Sequence, residues 1–221
     1  MSASANPDIV TDGLVLCLDA SDRKSYSGNG TTWYDRSGNG NNGTLVNGVS
    51  WSSEKGGIMK LDGIDDYISI PISLNYSNVK YTVIAVARYS GSQNKRVISS
   101  NSGNWLLGWW SGRVDTYYAE GWVPSSNGSG DNAVDKYDWH IYAGTGDRGA
   151  DSYQLFKNGT ALFNAESSGA NGPNGIRVGN SGSYTSEISN CECQYVIAYN
   201  RVLTAAEILQ NYNATKSRFN L

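Results

Sequence analysis

Eight Asn-Gly pairs punctuate this sequence, and they constrain its fold more than any other feature. A type I′ turn needs positive φ at both central residues, so an Asn-Gly pair is a strong short-range signal for a β-hairpin. The clearest example is Asn158-Gly159, which joins the segments YQLFK and TALFN. Turn signals recur every 8–15 residues, a spacing typical of sandwiches and barrels rather than of βαβ units. The other pairs begin at Asn29, Asn39, Asn42, Asn47, Asn127, Asn171 and Asn174.

Ten further segments have the composition of β-strands. The segment YTVIAVARY at 81–89 is almost wholly apolar, as a central strand covered on both faces would be, whereas DYISIP at 66–71 alternates. The remaining predicted strands cover 13–20, 57–63, 95–100, 104–110, 113–118, 139–145, 175–180 and 193–200.

One short helix is predicted near the C-terminal end. Thr204 and Glu207 have the spacing of a capping box. Behind them Ile208, Leu209 and Tyr212 form an apolar stripe. We expect a helix of about three turns that packs on the β-structure and holds the C-terminus.

The length of the chain favours one domain, and its charge and apolar runs argue against nucleic acid and membrane as partners. The chain has 221 residues, and β-sandwiches of roughly 200–250 residues commonly form one unit. The net charge is −3 and no basic stripe is present, which argues against nucleic acid. No apolar run approaches the roughly 18–20 residues of a membrane span. We predict an N-terminal arm at 1–12 and a single domain at 13–221.

Five segments, in the same order, resemble motifs of the concanavalin A-like, laminin G-like lectins. The loop WYDRSGNGNNG at 33–43 resembles the family's Asp-x-Ser-Gly-x-Gly-x-x-Gly loop, and LDGIDDYI at 61–68 resembles the turn and strand after it. Three further motifs of the family follow in the same order. They are matched by YTVIAVARY, by WHIYAGT together with YQLFKNG, and by VIAYNRVLTAAEI. The resemblance implies an all-β fold, a two-sheet antiparallel jelly-roll sandwich with one short C-terminal helix, whose first and last strands are neighbours.

A narrower resemblance is to structural proteins of tailed bacteriophages, through GLVLCLDA, the loop TTWYDRSGNGNNGTLVNG and the C-terminal helix. It implies a non-enzymatic virion protein, either a capsid decoration or a fibre-associated lectin-like module. Its partners would be phage capsid or tail proteins and surface glycans, and we expect it to be homo-oligomeric or particle-bound. Because the N-terminus has no signal-peptide pattern, we expect synthesis in the host cytoplasm and exposure on the virion surface. The alternative is a carbohydrate-binding module of a cellular or secreted, extracellular protein.

The positions of the acidic residues predict no enzyme activity. Glycosidases of this fold place catalytic carboxylates two residues apart on one strand, whereas none of the six Glu residues lies two residues from another acidic residue. His140 is the single histidine, and it has no patterned partner for acid–base catalysis. We therefore predict an ordinary strand histidine and no glycoside hydrolase activity.

Aromatic residues crowd the segment 104–122 and suggest a carbohydrate site. Sugar rings stack their C–H faces on aromatic planes, and nearby polar side chains can bind the hydroxyls. Burial in the core is the alternative for each ring, since aromatic residues favour strands and bury well. The candidate carbohydrate-binding residues are Trp105, Trp109, Trp110, Arg113, Asp115, Tyr117 and Trp122.

Three carboxylates in one turn make a candidate calcium site. Asp62, Asp65 and Asp66 offer the oxygen ligands that Ca²⁺ takes. The alternative is turn chemistry, in which Asp side chains accept hydrogen bonds from their own backbone. Structural Ca²⁺ is the only cofactor that the sequence suggests. The three cysteines, an odd number, are expected to be free thiols rather than a disulfide framework.

Overall fold

The described residues form fifteen strands in two antiparallel sheets, closed by one C-terminal helix. The structure is a computed structural model that describes residues 8–75, 79–119, 121–123, 135–162, 172–219 and 221. The strands are β1 Leu14–Asp19, β2 Thr32–Trp33, β3 Gly43–Val46, β4 Ser50–Ser52, β5 Ile58–Asp62, β6 Tyr67–Ser73, β7 Lys80–Tyr89, β8 Ile98–Ser102, β9 Trp105–Trp110, β10 Arg113–Ala119, β11 His140–Asp147, β12 Ser152–Lys157, β13 Thr160–Ala161, β14 Asn174–Val178 and β15 Asn190–Tyr199. The helix α1 spans Ala205–Thr215 and continues into a 3₁₀ turn, Lys216–Arg218.

The strand order confirms the predicted two-sheet sandwich. The first sheet runs β13-β12-β11-β7-β15-β5-β4, and β1 also pairs with β15. The second sheet runs β10-β9-β8-β14-β6-β3-β2. The predicted closeness of the first and last strands is correct, because Leu18 of β1 lies opposite Val196 of β15. Among the described residues, no helix is long and apolar enough to cross a membrane.

Strand β15 pairs with two different strands along one of its edges. Residues 190–193 pair with β5, residues 195–199 pair with β1, and β7 occupies the other edge with an irregularity at Gln194. There the carbonyl of Gln194 accepts a hydrogen bond from Ala20 N at 2.8 Å. Cys17 lies opposite Ile197 and therefore away from the other two cysteines. All three cysteines are free thiols.

Two apolar clusters hold the sandwich together. The larger one lies between the sheets and contains Val83, Ala85 and Ala87 of β7. The smaller one contains the alternate β7 residues Ile84 and Val86, and it lies under α1 on the outer face of the first sheet. The apolar sequence of β7 is thus explained by burial on both faces, as predicted.

The turns agree only in part with the Asn-Gly prediction. Asn158 and Gly159 have φ of 50° and 80° and join β12 to β13 as expected. Strands β9 and β10 are instead joined at Ser111-Gly112, where φ is 52° and 78°. The pair beginning at Asn174 starts β14, where Gly175 has φ of 72° at a pairing irregularity. The pairs at Asn127 and Asn171 fall outside the described residues or at their border.

The predicted capping box is present at the start of α1. Thr204 Oγ1 accepts from Glu207 N at 3.3 Å, and Glu207 Oε2 accepts from Thr204 N at 2.8 Å. Arg201 donates to both carboxylate oxygens of Glu207, at 3.0 and 2.6 Å. The predicted apolar stripe is wrong in one member, because Leu209 is 45% exposed. Ile208 and Tyr212 pack on the smaller apolar cluster as predicted, and the helix docks also through the buried amide of Asn211.

Asn211 also anchors the described part of the predicted N-terminal arm. Its Oδ1 accepts from Val10 N at 2.9 Å, while Tyr199 Oη donates to the Val10 carbonyl at 2.8 Å. Val10 is buried, so residues 8–12 lie against α1 and β15 rather than free in solvent. Residues 1–7 lie outside the described residues, and the boundary at residue 12 stays a prediction.

We predict that Thr204→Ala destabilises the protein by about 0.5–2 kcal/mol, because the N-cap hydrogen bond to Glu207 is lost. Urea unfolding measures the change. Thr185, exposed in a loop, supplies the matched control Thr185→Ala, which should leave the midpoint unchanged. Equal midpoints for both variants would show that the cap contributes nothing.

We also predict an acid-dependent contribution from Glu207. The pKa of Glu207 is lowered from 4.5 to about 2, chiefly by the hydrogen bonds from Arg201 and secondly by the one from the Thr204 backbone. A carboxyl with a lowered folded-state pKa stabilises the fold above its unfolded pKa, and this stability is lost as the pH falls from about 4.5 to about 2. The stability difference between wild type and Glu207→Gln should therefore shrink over that range in thermal unfolding. A difference that is constant with pH would contradict this.

Candidate functional site

The outer face of the second sheet carries polar and aromatic side chains. On β14, Ile176 and Val178 point into the core, so Arg177 between them points outward. In register, Arg177 lies opposite Ser69 of β6 and Ser99 of β8. We call this surface the polar face. It comprises Tyr67, Ser69, Ser99, Asn101, Trp110, Tyr118, Trp122 and Arg177, with Asn180, Tyr184 and Glu187 from the loop that follows β14.

The guanidinium of Arg177 is held in place at the centre of the polar face. Its Nε donates to Asn101 Oδ1 at 2.9 Å, and Nη1 donates to Asn180 Oδ1 at 3.2 Å. The Tyr67 ring lies beneath it, 4.1 Å from the guanidinium carbon. These two hydrogen bonds use two of the five N–H donors that a guanidinium offers. Among the described ion pairs none involves Arg177, so the contacts of its guanidinium given above are all with neutral groups.

Three aromatic rings form a second group on the polar face, which we call the aromatic triad: Trp110, Tyr118 and Trp122. The ring centroids of Trp110 and Trp122 are 5.1 Å apart, and those of Tyr118 and Trp122 are 5.0 Å apart. All three side chains are partly exposed. Tyr118 points away from the core because it lies opposite Leu106, whose neighbour Leu107 points into it. Arg113 lies opposite Trp110 and is partly buried.

A paired charge borders the aromatic triad. Arg96 is only 4% exposed; its Nε contacts Glu187 Oε2, and its Nη1 donates to Asn104 Oδ1 at 2.9 Å. The Tyr184 ring covers this guanidinium at 4.7 Å. Glu187 Oε1 in turn accepts from Trp110 Nε1 at 3.5 Å. The loop after β14 is thereby fixed against the triad, and its carboxylate and phenol groups lie beside exposed rings.

Three of the predicted carbohydrate-binding residues lie in the core instead. Trp105, Trp109 and Tyr117 are each at most 1% exposed. Trp105 Nε1 donates to Tyr81 Oη at 3.1 Å, and the hydroxyls of Tyr81 and Tyr117 are 2.7 Å apart. Because a buried ring has no face open to a ligand, these three residues cannot stack on a sugar in this structure. Core packing, the stated alternative, accounts for them.

The predicted residue Asp115 belongs to a charged cluster at the edge of the sandwich. Its carboxylate accepts from Tyr142 Oη and pairs with Lys157 Nζ at 3.0 Å. Lys157 Nζ also pairs with Asp135 Oδ2 at 3.0 Å. His140, buried at the start of β11, lies within 3.0 Å of the Asp135 carbonyl, and burial followed by the charge of Lys157 lowers its pKa. Asp115 therefore connects β10 to the first sheet rather than joining the aromatic triad.

The acidic turn brings its three carboxylates together, with ligand atoms within 4.8 Å of one another. Asp66 is buried, and its oxygens accept from Gly48 N at 2.5 Å and Asp62 N at 3.2 Å. Asp62 Oδ1 accepts from Ile64 N at 2.8 Å. These bonds are the turn chemistry given above as the alternative. Asp65 is exposed, and calcium binding by the turn stays a prediction.

Sequence reasoning missed the residues around Arg177 and Arg96. A signal for Arg177 was present, since GIRVGN places one charged residue between two apolar ones of a strand. No local signal links Arg96 to Glu187, because the pair forms between segments 91 residues apart.

Comparison with known proteins shows the fold. No protein-family model and no curated protein matches the sequence. Among solved structures, Trypanosoma rangeli sialidase in complex with sialic acid has a TM-score of 0.66 at 17% identity, over 98% of this chain and 36% of that one. The binding domain of Paraclostridial Mosquitocidal Protein 1 gives 0.65 at 14%, over 92% and 52%. The receptor-binding domain of a botulinum neurotoxin C/D mosaic serotype gives 0.62 at 15%, over 92% and 51%.

This comparison contradicts the prediction that the chain is not an enzyme. A mutant of the T. rangeli sialidase with trans-sialidase activity shares the fold over 95% of this chain, with a TM-score of 0.64. Catalytic carboxylates two residues apart on one strand are found in one group of enzymes with such folds. The absence of that pattern here therefore does not exclude catalysis by other residues. This chain spans about a third of the sialidase. At these identities the likeness establishes a shared β-sandwich fold.

Proposed function

We propose that this chain is a glycan-binding, lectin-like domain whose binding surface is the polar face. The observation that carries the proposal is the aromatic triad, which presents three partly exposed rings beside Glu187 and Arg96. Apolar C–H faces of a sugar can stack on such rings while fixed polar groups bind its hydroxyls. The neighbouring charges are held by hydrogen bonds, so little side-chain entropy would be lost on binding.

The Arg177 group favours a glycan that carries a carboxylate. Its guanidinium is partnered by the neutral amides of Asn101 and Asn180 and by the Tyr67 ring. A planar guanidinium binds a carboxylate through paired hydrogen bonds. Two of the similar structures support the general role: one is a receptor-binding domain, and the other is a sialidase in complex with sialic acid.

We predict that Trp122→Ala weakens glycan binding by about tenfold, because a stacking ring is lost from the triad. A glycan array identifies the ligand, and isothermal titration calorimetry measures its affinity. The control is Tyr137→Ala, which removes a 43% exposed ring that contacts Lys136 and Asn94 rather than the aromatic triad, and this variant should bind normally. Trp109→Ala is unsuitable because a core cavity would cost about 3–5 kcal/mol of stability.

Two results would contradict the proposal: no binding across the array, or equal affinity of Trp122→Ala and wild type. Arg177→Gln adds a test of ligand class, since it should weaken acidic glycans more than neutral ones. If Arg177→Gln weakened the binding of acidic and neutral glycans equally, the proposed preference for a carboxylate would be wrong. The aromatic triad would then remain as the proposed site.

The role on a phage particle, with capsid or tail proteins as partners and the virion surface as location, stays a prediction from the sequence. The solved structures named above do not bear on it. Co-sedimentation of the protein with purified particles would test it, and a protein that stays in the supernatant would contradict it.

A further inference from the structure

The Asn-Gly pairs have a chemical reactivity that is separate from their role in turns. The side-chain Cγ of an asparagine can be attacked by the backbone nitrogen of the next residue, and a following glycine obstructs this approach least because it has no side chain. The contacts of the reacting atoms distinguish one pair from the others. Six of the eight pairs lie within the described residues, and they begin at Asn29, Asn39, Asn42, Asn47, Asn158 and Asn174.

The reaction is intramolecular and consumes only water. A peptide nitrogen is a weak nucleophile because its lone pair is delocalised into the carbonyl, so it reacts after losing its proton to hydroxide. It then bonds to Cγ, the bond between Cγ and Nδ2 breaks, and ammonia leaves with a proton taken from water. Water opens the resulting succinimide ring at either carbonyl, which gives aspartate or isoaspartate. In sum, one side-chain amide and one water become one carboxylate and one ammonium ion.

Five of the six pairs have a side-chain amide that is hydrogen-bonded to another segment of the fold. In these pairs Cγ cannot turn toward the next nitrogen unless that hydrogen bond breaks. Asn47 is held most firmly, because its Nδ2 donates to the Asp65 carbonyl at 2.7 Å and Gly48 N donates to Asp66 Oδ1 at 2.5 Å. The partners of the other four are Leu14 for Asn39, Asp35 for Asn42, Ile141 for Asn158, and Ser73 with Ser102 for Asn174.

The sixth pair, Asn29-Gly30, is exposed in the loop before β2 and contacts only its own loop. Ser27 Oγ donates to Asn29 Oδ1 at 3.2 Å. Within the described part of the chain, neither Asn29 Nδ2 nor the Gly30 N–H has a hydrogen-bond partner in the protein. No atom lies within 4 Å of the position that a Cβ of Gly30 would occupy. The two reacting atoms are therefore free to approach each other.

Two neighbouring groups favour the negative charge that forms in this reaction. Attack on Cγ moves charge onto Asn29 Oδ1, to which the Ser27 hydroxyl already donates, and a donor placed at a developing oxyanion lowers the barrier. Arg23 brings a positive charge into the same loop, since its Nη1 donates to the Ser27 carbonyl at 2.6 Å. Arg23 takes part in none of the described ion pairs. Its charge favours both the deprotonated Gly30 nitrogen and the oxyanion.

We propose that Asn29-Gly30 is a site of spontaneous deamidation that reacts first among the described Asn-Gly pairs, with Ser27 as the donor to the oxyanion. The product carries one more negative charge beside Arg23, and its isoaspartate form adds one backbone atom to the loop. The chain thus gains charge with age at a defined position. The site shares no residue with the polar face, so it does not rest on the proposed function.

The test incubates the full chain in mildly alkaline buffer, digests it in acid, and follows each Asn-Gly peptide by liquid chromatography and mass spectrometry. Asn47-Gly48 is the matched internal control, because it is equally exposed but both of its reacting atoms are hydrogen-bonded. In the folded protein Asn29 should react at least about tenfold faster than Asn47, since two hydrogen bonds must break first at Asn47. In concentrated urea the two rates should become similar.

Variants of the neighbouring groups test their contribution. Ser27→Ala and Arg23→Gln change exposed side chains, and each should slow the reaction at Asn29 about threefold without changing the rate at Asn47. Arg148→Gln, which removes an exposed positive charge in the loop after β11, is the matched control and should leave the rate at Asn29 unchanged.

Three results would overturn the proposal. The first is a rate at Asn29 that is no faster than the rate at Asn47 in the folded protein. The second is a ratio of these two rates that is the same in urea as in the folded state, because the selectivity would then come from the local sequence. The third is an unchanged rate at Asn29 in Ser27→Ala, which would refute the hydroxyl as the oxyanion donor.

Discussion

The pairing of β15 is the constraint on which the rest of the structure depends. This strand joins β7 along one edge and both β5 and β1 along the other. Its two faces contribute to both apolar clusters, so a single strand links the core to the surface that α1 covers. The irregularity at Gln194, where the pairing changes from β5 to β1, also places Tyr195 opposite Asp19.

Side-chain alternation separates the polar face from the core within one short hairpin. Trp109 and Trp110 are adjacent in sequence, yet the first is buried against Tyr142 and the second contributes to the aromatic triad. A bulge in β10 near Asp115, with φ of 63°, shifts the pairing there and turns that carboxylate toward Lys157. Trp110 and Asp115 were both candidate carbohydrate-binding residues, yet the first lies in the aromatic triad and the second pairs with Lys157 of the first sheet.

Local signals predicted the fold well and the site poorly. The capping box at Thr204 and the wholly apolar β7 are local patterns with a direct physical cause, and both predictions are correct. Asn-Gly pairs located the β12–β13 hairpin, but Asn174-Gly175 begins a strand, where the positive φ of Gly175 serves a pairing irregularity instead of a hairpin turn. Which tryptophans face solvent depended on register, and the pairing of Arg96 with Glu187 joins distant segments. Neither is encoded in a local pattern.

The contact between β1 and β15 has a consequence for how the chain folds. Strand β1 ends at Asp19 and β15 begins at Asn190, so their pairing closes a loop that contains most of the described residues. Such non-local contacts carry a high entropic cost and slow the search for the native topology. During synthesis the partner edges of β1, β5 and β7 stay open until the last strand emerges, and open strand edges invite pairing with other chains. Molecules interrupted before β15 would therefore be prone to aggregate, whatever the stability of the finished sandwich.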